Sequence, residues 1–170
     1  MKKLFVPVLL VLAGPLAICA QSQSPVEVSA SYSFLREGGS GGVNANGVSG
    51  SLALNVNRWL GLAGDLGYYH ASPGGISTNT TTYLFGPRFS YRRSNKVTPF
   101  AQVLLGGAHV SVPGLGSTNG FSFSAGGGLD LGLSRHVAFR PQLDYIGIRS
   151  DSDTLNTFRA SFGVVFRFGD

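Results

Sequence analysis

Two His-x-Ser pairs, His70-Ala-Ser72 and His109-Val-Ser111, and a set of acids and arginines scattered through otherwise uncharged segments are the residues of this chain suited to chemistry. In an extended strand, residues two apart share a face, so either His could reach its Ser and accept the hydroxyl proton as a general base. An acyl-transfer site of that kind also needs a carboxylate to orient the His, and the next acid after Ser111 is Asp130, on a different segment. An imidazole is equally at home at a polar–apolar boundary, and a rim position suits both His better. Asp151 and Asp153 could contribute to a cation site with backbone oxygens, yet two carboxylates in a polar loop are usually solvated. No catalytic residue, metal ligand or cofactor is therefore assigned.

The acids and arginines make sense only on the elements that carry them. In Asn156 to Asp170, NTFRASFGVVFRFGD, the residues Phe158, Ala160, Phe162, Val164, Phe166 and Phe168 occupy one face of a period-two pattern, while Thr157, Arg159, Ser161, Gly163, Val165 and Arg167 occupy the other. That is the pattern of a strand with one face in lipid and the other in a crowded, wet interior. Seven further stretches alternate in the same way: Pro25–Glu37, Gly47–Asn57, Leu60 to about His70, Thr81–Arg92, Val97–Val110, Gly120–Leu133 and Val137 onward. Three connections, at Asn57–Trp59, Arg93–Lys96 and Ser134–His136, are expected to be short turns; four, at Gly38–Asn46, Ala71–Thr80, Ser111–Asn119 and Ser150–Asn156, to be long loops rich in Gly, Ser and Asn.

With that phase, Glu27, Asp65, Arg88, Gln102, Asp130, Arg140, Asp144, Arg159 and Arg167 all point to the inner face, and no charge falls on the outer face in mid-strand. An eight-stranded barrel is only wide enough to be filled by its own side chains, so these residues are expected to form a salt-bridged plug, with an aqueous pore as the alternative. If the Ser134–His136 turn centres on Arg135, residues whose numbers sum to 270 face each other, which sets Asp130 opposite Arg140; closure sets Glu27 near Arg167. Trp59, Tyr68, Tyr69, Tyr83, Tyr91, Tyr145 and Phe168 read as interfacial aromatics. Pro87, Pro99 and Pro141 oppose the scheme, because each removes a ladder donor; Pro99 can begin a strand, and the other two require bulges or rim positions.

Lys2 and Lys3, an apolar run from Leu4 to Ile18 and Ala17-Ile-Cys-Ala20 read as a cleavable signal peptide over 1–20, leaving one barrel domain over 21–170. Ile18 before the lone Cys19 argues against a lipoprotein signal, and the run is too short and too broken by proline and glycine for a retained membrane helix. Cleavage after Ala20 removes the only cysteine and two of the 13 basic residues, so the formal charge falls from +5 to +3. With 25 Gly and 12% charged residues, the composition is not that of a nucleic-acid binder. A soluble lipocalin-like barrel would need Lys and Glu on its polar face, where this chain has Gly, Ser and a few Asp and Arg.

From Pro25 to Phe168 the chain resembles the OmpA-like, opacity-type eight-stranded outer-membrane barrels, on the stretches Asn57–Tyr68, Phe85–Tyr91, Thr98–Gly107 and the Phe-rich terminal strand. The resemblance implies an all-β, eight-stranded antiparallel up-and-down transmembrane barrel in a Gram-negative outer membrane, in contact with membrane lipids. It also implies delivery by barrel-insertion machinery, which in this family reads a terminal aromatic; here Phe168 is followed by Gly169 and Asp170. No stretch is similar to the peptidoglycan-binding domain of the two-domain relatives. The His-x-Ser spacing resembles that of lipid A deacylases built on the same barrel, without their carboxylate. The function expected is structural or adhesive, through four external loops and an unidentified partner; a narrow channel is the alternative and a lipid-modifying enzyme a weaker one.

Overall fold

The computed structural model describes residues 26–37, 44–72, 77–94, 96–112, 116–149 and 154–169. The expected signal peptide, the centres of the four loops, Asp151, Asp153 and Asp170 lie outside the described residues. Eight strands, β1 (Val26–Glu37), β2 (Asn44–Asn55), β3 (Leu60–Ala71), β4 (Thr78–Ser90), β5 (Val97–Val112), β6 (Gly116–Gly132), β7 (Val137–Arg149) and β8 (Thr154–Phe168), each pair with the next. β8 returns antiparallel to β1, from Val26↔Phe168 to Glu37↔Thr157, and closes the barrel. Closure leaves no unpaired edge, the condition for a sheet in an apolar medium.

The alternation read from the sequence appears as burial. Tyr32, Leu66, Phe85, Leu143 and Phe158 face outward and are exposed, while Glu27, Asp65, Arg88, Asp130 and Arg140 are buried inside. The interior is not wholly polar: Ala53, Ala63, Leu84 and Leu104 form a small apolar cluster on the β2–β5 wall. Side-chain acceptors set two of the turns. Asn57 Oδ1 accepts from the Trp59 and Leu60 amides at 3.0 and 2.8 Å, and Ser134 Oγ accepts from those of His136 and Val137 at 3.3 and 3.1 Å. The second turn holds the expected register, with Phe121↔Arg149, Gly126↔Asp144 and Leu131↔Phe139 opposed.

Two expectations are corrected. The contrast between short turns and long loops is not one of connection length. The β5–β6 ladder runs through His109↔Asn119 to Val112↔Gly116, so only 113–115 separate the strands where a nine-residue loop was expected; β2 and β4 likewise begin early, at Asn44 and Thr78. Polar Ser, Thr and Asn pair their backbones as well as apolar residues do, so the ladder continues past the apolar belt. Nor do Pro87 and Pro141 require bulges. The β4–β5 register is the same at Phe85↔Leu105 and Arg88↔Gln102, on either side of Pro87, and the β6–β7 register is the same at Gly128↔Gln142 and Leu131↔Phe139, around Pro141. A strand residue directs its N–H to one neighbour only, so each proline interrupts one ladder while Leu62↔Pro87 and Pro141↔Phe162 persist on the other side.

Candidate functional site

The interior charges form two tiers. The tier nearer the chain termini is built around Phe100, with the Arg88 and Arg140 guanidiniums 3.8 and 4.8 Å from its ring centroid. Gly128 makes room for the ring, since a Cβ there would stand 3.0 Å from a Phe100 ring carbon. Arg140 grips Asp130 with both arms of its fork, Nε to Oδ1 at 2.5 Å and Nη2 to Oδ2 at 2.8 Å, and also donates to Glu27 Oε2 at 3.1 Å. Such bidentate, charge-assisted contacts are the strongest side-chain hydrogen bonds. Arg92 donates to Glu27 Oε1 at 3.2 Å and to Asn55 Oδ1 at 2.6 Å. Glu27 does stand opposite Arg167 in the β1–β8 register, and Arg167 Nη2 lies 3.7 Å from Asp130 Oδ2.

The second tier centres on Arg159. Its Nη1 donates to Asp65 Oδ1 and to the Tyr69 hydroxyl, both at 2.7 Å, and its Nε to Asp144 Oδ2 at 3.0 Å; Gln142 Nε2 holds the Asp144 carboxylate at 2.8 and 3.0 Å. Gln102 is buried opposite Arg88. Serine hydroxyls add a neutral network on the same inner face, Ser29 to Ser51 at 2.7 Å and Ser33 to Ser49 and Ser161 at 3.0 and 2.8 Å. Arg88, Arg140, Arg159, Tyr69 and Leu104 are among the largest fully buried side chains.

Tyr69 is a correction. It was expected at the interface; instead it is 1% exposed and packs inside beside Gly67 and Gly47, whose added Cβ atoms would collide with it. Its odd number, shared with Gly61, Ala63, Asp65 and Gly67, carried that signal. Parity also placed Phe100 and Arg92 inward, and neither had been given an interior role. Of the other aromatics, Trp59, Tyr91 and Phe168 are exposed near the end with the termini, Trp59 stacking on Phe89 at 6.1 Å, and Tyr68 and Tyr83 are exposed toward the far end. Tyr145 packs between Phe123 and Phe158, with centroids 6.0 and 5.4 Å away.

Both His-x-Ser pairs lie at the far end, and each His is paired across the ladder with an asparagine. His70 Nδ1 lies 2.8 Å from Asn79 Oδ1 with Ser72 Oγ 3.2 Å from Nε2, and His109 Nδ1 lies 2.7 Å from Asn119 Oδ1. An amide oxygen can fix the His tautomer, but it cannot offset an imidazolium charge as a carboxylate does. Among the described residues no group of three or more His, Cys, Asp or Glu could hold a metal ion.

A family model described as an outer membrane protein beta-barrel domain matches residues 4–168. The fold is similar to that of Neisserial surface protein A, at 16% identity and TM-score 0.74, covering 87% of this chain and 100% of that one. It is similar to Ail, the attachment invasion locus protein of Yersinia pestis, at 19% identity and TM-score 0.60, over 84% and 97% of the two chains. The N-terminal β-barrel domain of Pseudomonas aeruginosa OprF aligns at 20% identity and TM-score 0.57, over 87% and 100%. No curated protein matches the sequence.

Proposed function

Since the chain belongs to the outer membrane protein beta-barrel domain family, and with it to the Gram-negative outer membrane, we propose that it is an internally closed, non-enzymatic surface barrel that acts by contact at its far end. The observation that carries this reading is the division of its polar groups. Inside, charges are buried and bound to one another; at the far end the ladders extend beyond the apolar belt and present Asn44, Asn46, Ser117, Thr118 and Asn119 as exposed residues. A rigid ladder carrying polar side chains is a better recognition surface than a free loop, because less conformational entropy is lost on binding. In this arrangement the start of β1, the end of β8 and the three turns face the periplasm, the outward aromatics sit at the two lipid interfaces, and the partner is met outside the cell.

The far end also exposes Arg36 and Arg149 on its outer wall, which favours an anionic partner. Ail has been solved in complex with the heparin analogue sucrose octasulfate, which makes that compound a suitable first probe here. The refolded barrel should be retained on a sulfated-glycan surface, and retention should fall when Arg36 and Arg149 are both changed to Gln. Planar-bilayer recording completes the test. A large, steady conductance with no retention would replace the contact reading with a channel.

A further inference from the structure

At the end of the barrel where β1 begins and β8 ends, inward-facing cations outnumber inward-facing anions among the described residues: Arg88 and Arg140 are buried with Glu27 and Asp130, and Arg92 and Arg167 stand beside them, partly exposed. Among the described residues, Arg88, Arg92, Arg140 and Arg167 converge on two carboxylates, Glu27 and Asp130, a formal surplus of +2. The shortage of acceptors can be followed atom by atom. Arg140 takes both oxygens of Asp130 and one of Glu27, and Arg92 and Asn55 take the other Glu27 oxygen, Arg92 also donating to Asn55 Oδ1 and, at 3.4 Å, to the Arg58 carbonyl, so that the unmet donors are those of Arg88 and Arg167. What remains for Arg88 is 3.4 Å to Asp130 and 3.6 Å to Glu27, and for Arg167 3.7 Å to Asp130. Arg88 is 1% exposed and its Nε has no hydrogen-bond partner.

A guanidinium has five donors and no acceptor and does not give up its proton, so the surplus cannot be relieved by titration. The Phe100 face attracts both Arg88 and Arg140, but a ring quadrupole is not a counter-charge. A further acceptor carrying negative charge would satisfy these donors, and it has a way in: Arg92 and Arg167 have side chains 11% and 12% exposed, unlike the sealed Arg88.

We propose that this end of the interior is a binding site for one small inorganic anion of the phosphate class, held by the forks of Arg88, Arg92 and Arg167. Planar guanidinium pairs match the oxygens of such an anion. The site faces the lumen, so free phosphate and not the phosphate of a lipid headgroup is its ligand.

The test is urea unfolding of the full barrel in maltoside micelles, which contain no phosphate, at constant ionic strength. Inorganic phosphate should raise the midpoint along a saturating curve, and at a hundred times the dissociation constant the folded-to-unfolded ratio should rise about a hundredfold. Without phosphate, Arg167→Gln should be more stable than the parent, because a surplus charge has gone; at saturating phosphate the order should reverse. A linear rise parallel in both proteins would identify a general salt effect and overturn the proposal, as would a lower stability of Arg167→Gln without phosphate. Saturable stabilisation by anionic phospholipid but not by inorganic phosphate would overturn it in favour of a headgroup. Should Arg167→Gln fail to refold, Arg92→Gln at the same mouth serves, and calorimetric titration of the parent with phosphate needs no variant: absence of a saturable heat refutes the site.

Discussion

Asp130 and Arg140 form the tightest ion pair in the interior, yet their removal should not cost the same. Asp130→Asn keeps the shape but deletes a charge that faces Arg140, Arg88 and Arg167, leaving Glu27 as the one carboxylate among the described residues to offset the arginines around it. Arg140→Met leaves Asp130 with Arg88 and Arg167 still near, and Glu27 with Arg88 and Arg92. Breaking a buried ion pair from one side costs about 3–5 kcal/mol when the remaining charge is stranded. Asp130→Asn should fall in that range, whereas Arg140→Met, whose loss is partly covered by neighbouring cations, should cost about 1–3 kcal/mol. The double change should cost less than the sum of the two, with a coupling of about 1–3 kcal/mol. The four proteins would be unfolded in urea from lipid vesicles in phosphate-free buffer, following Trp59 emission and the heat-dependent gel shift. A larger penalty for Arg140→Met than for Asp130→Asn would refute the charge-surplus reasoning, and a coupling near zero would show the pair to be solvated.

Phe162→Arg, on the outer face between Tyr32 and Pro141, should impair membrane insertion by about 2–4 kcal/mol, while Ser124→Thr inside should do little; equal folding yields in bilayers would contradict the lipid-facing assignment. Gly67→Ala should drive the Tyr69 ring from its place and loosen the Tyr69–Arg159 hydrogen bond, lowering stability by about 1–3 kcal/mol, and the parallel change Gly64→Ala, which meets only ordinary contacts, should be better tolerated in the same unfolding assay. A cysteine placed at Ser117 should react with a membrane-impermeant maleimide on whole cells and one at Ser134 should not; the opposite pattern would invert the topology.

Much of the barrel was legible because its physical cause is local. Side chains alternate from face to face along a strand, so Phe158 to Phe168 on even numbers and Thr157 to Arg167 on odd ones had to face opposite media, and the same alternation, phased separately in each strand, carried Glu27, Asp65, Arg88, Asp130, Arg140, Asp144 and Arg159 into the interior. A turn held by Ser134 is local too, which is why the Asp130–Arg140 pairing is legible in the sequence. Tertiary structure decided what parity leaves open. Arg159 meets Asp65 and Tyr69, and Arg92 meets Glu27, across a lumen whose opposing walls are brought together only by closure and strand tilt. How far the polar ladders continue past the apolar belt, and which side of each proline keeps its hydrogen bond, depend on the neighbouring strand and not on the residue itself. The imbalance, among the described residues, of four arginines over two carboxylates is likewise a property of the closed barrel, because only closure gathers those charges into one confined space.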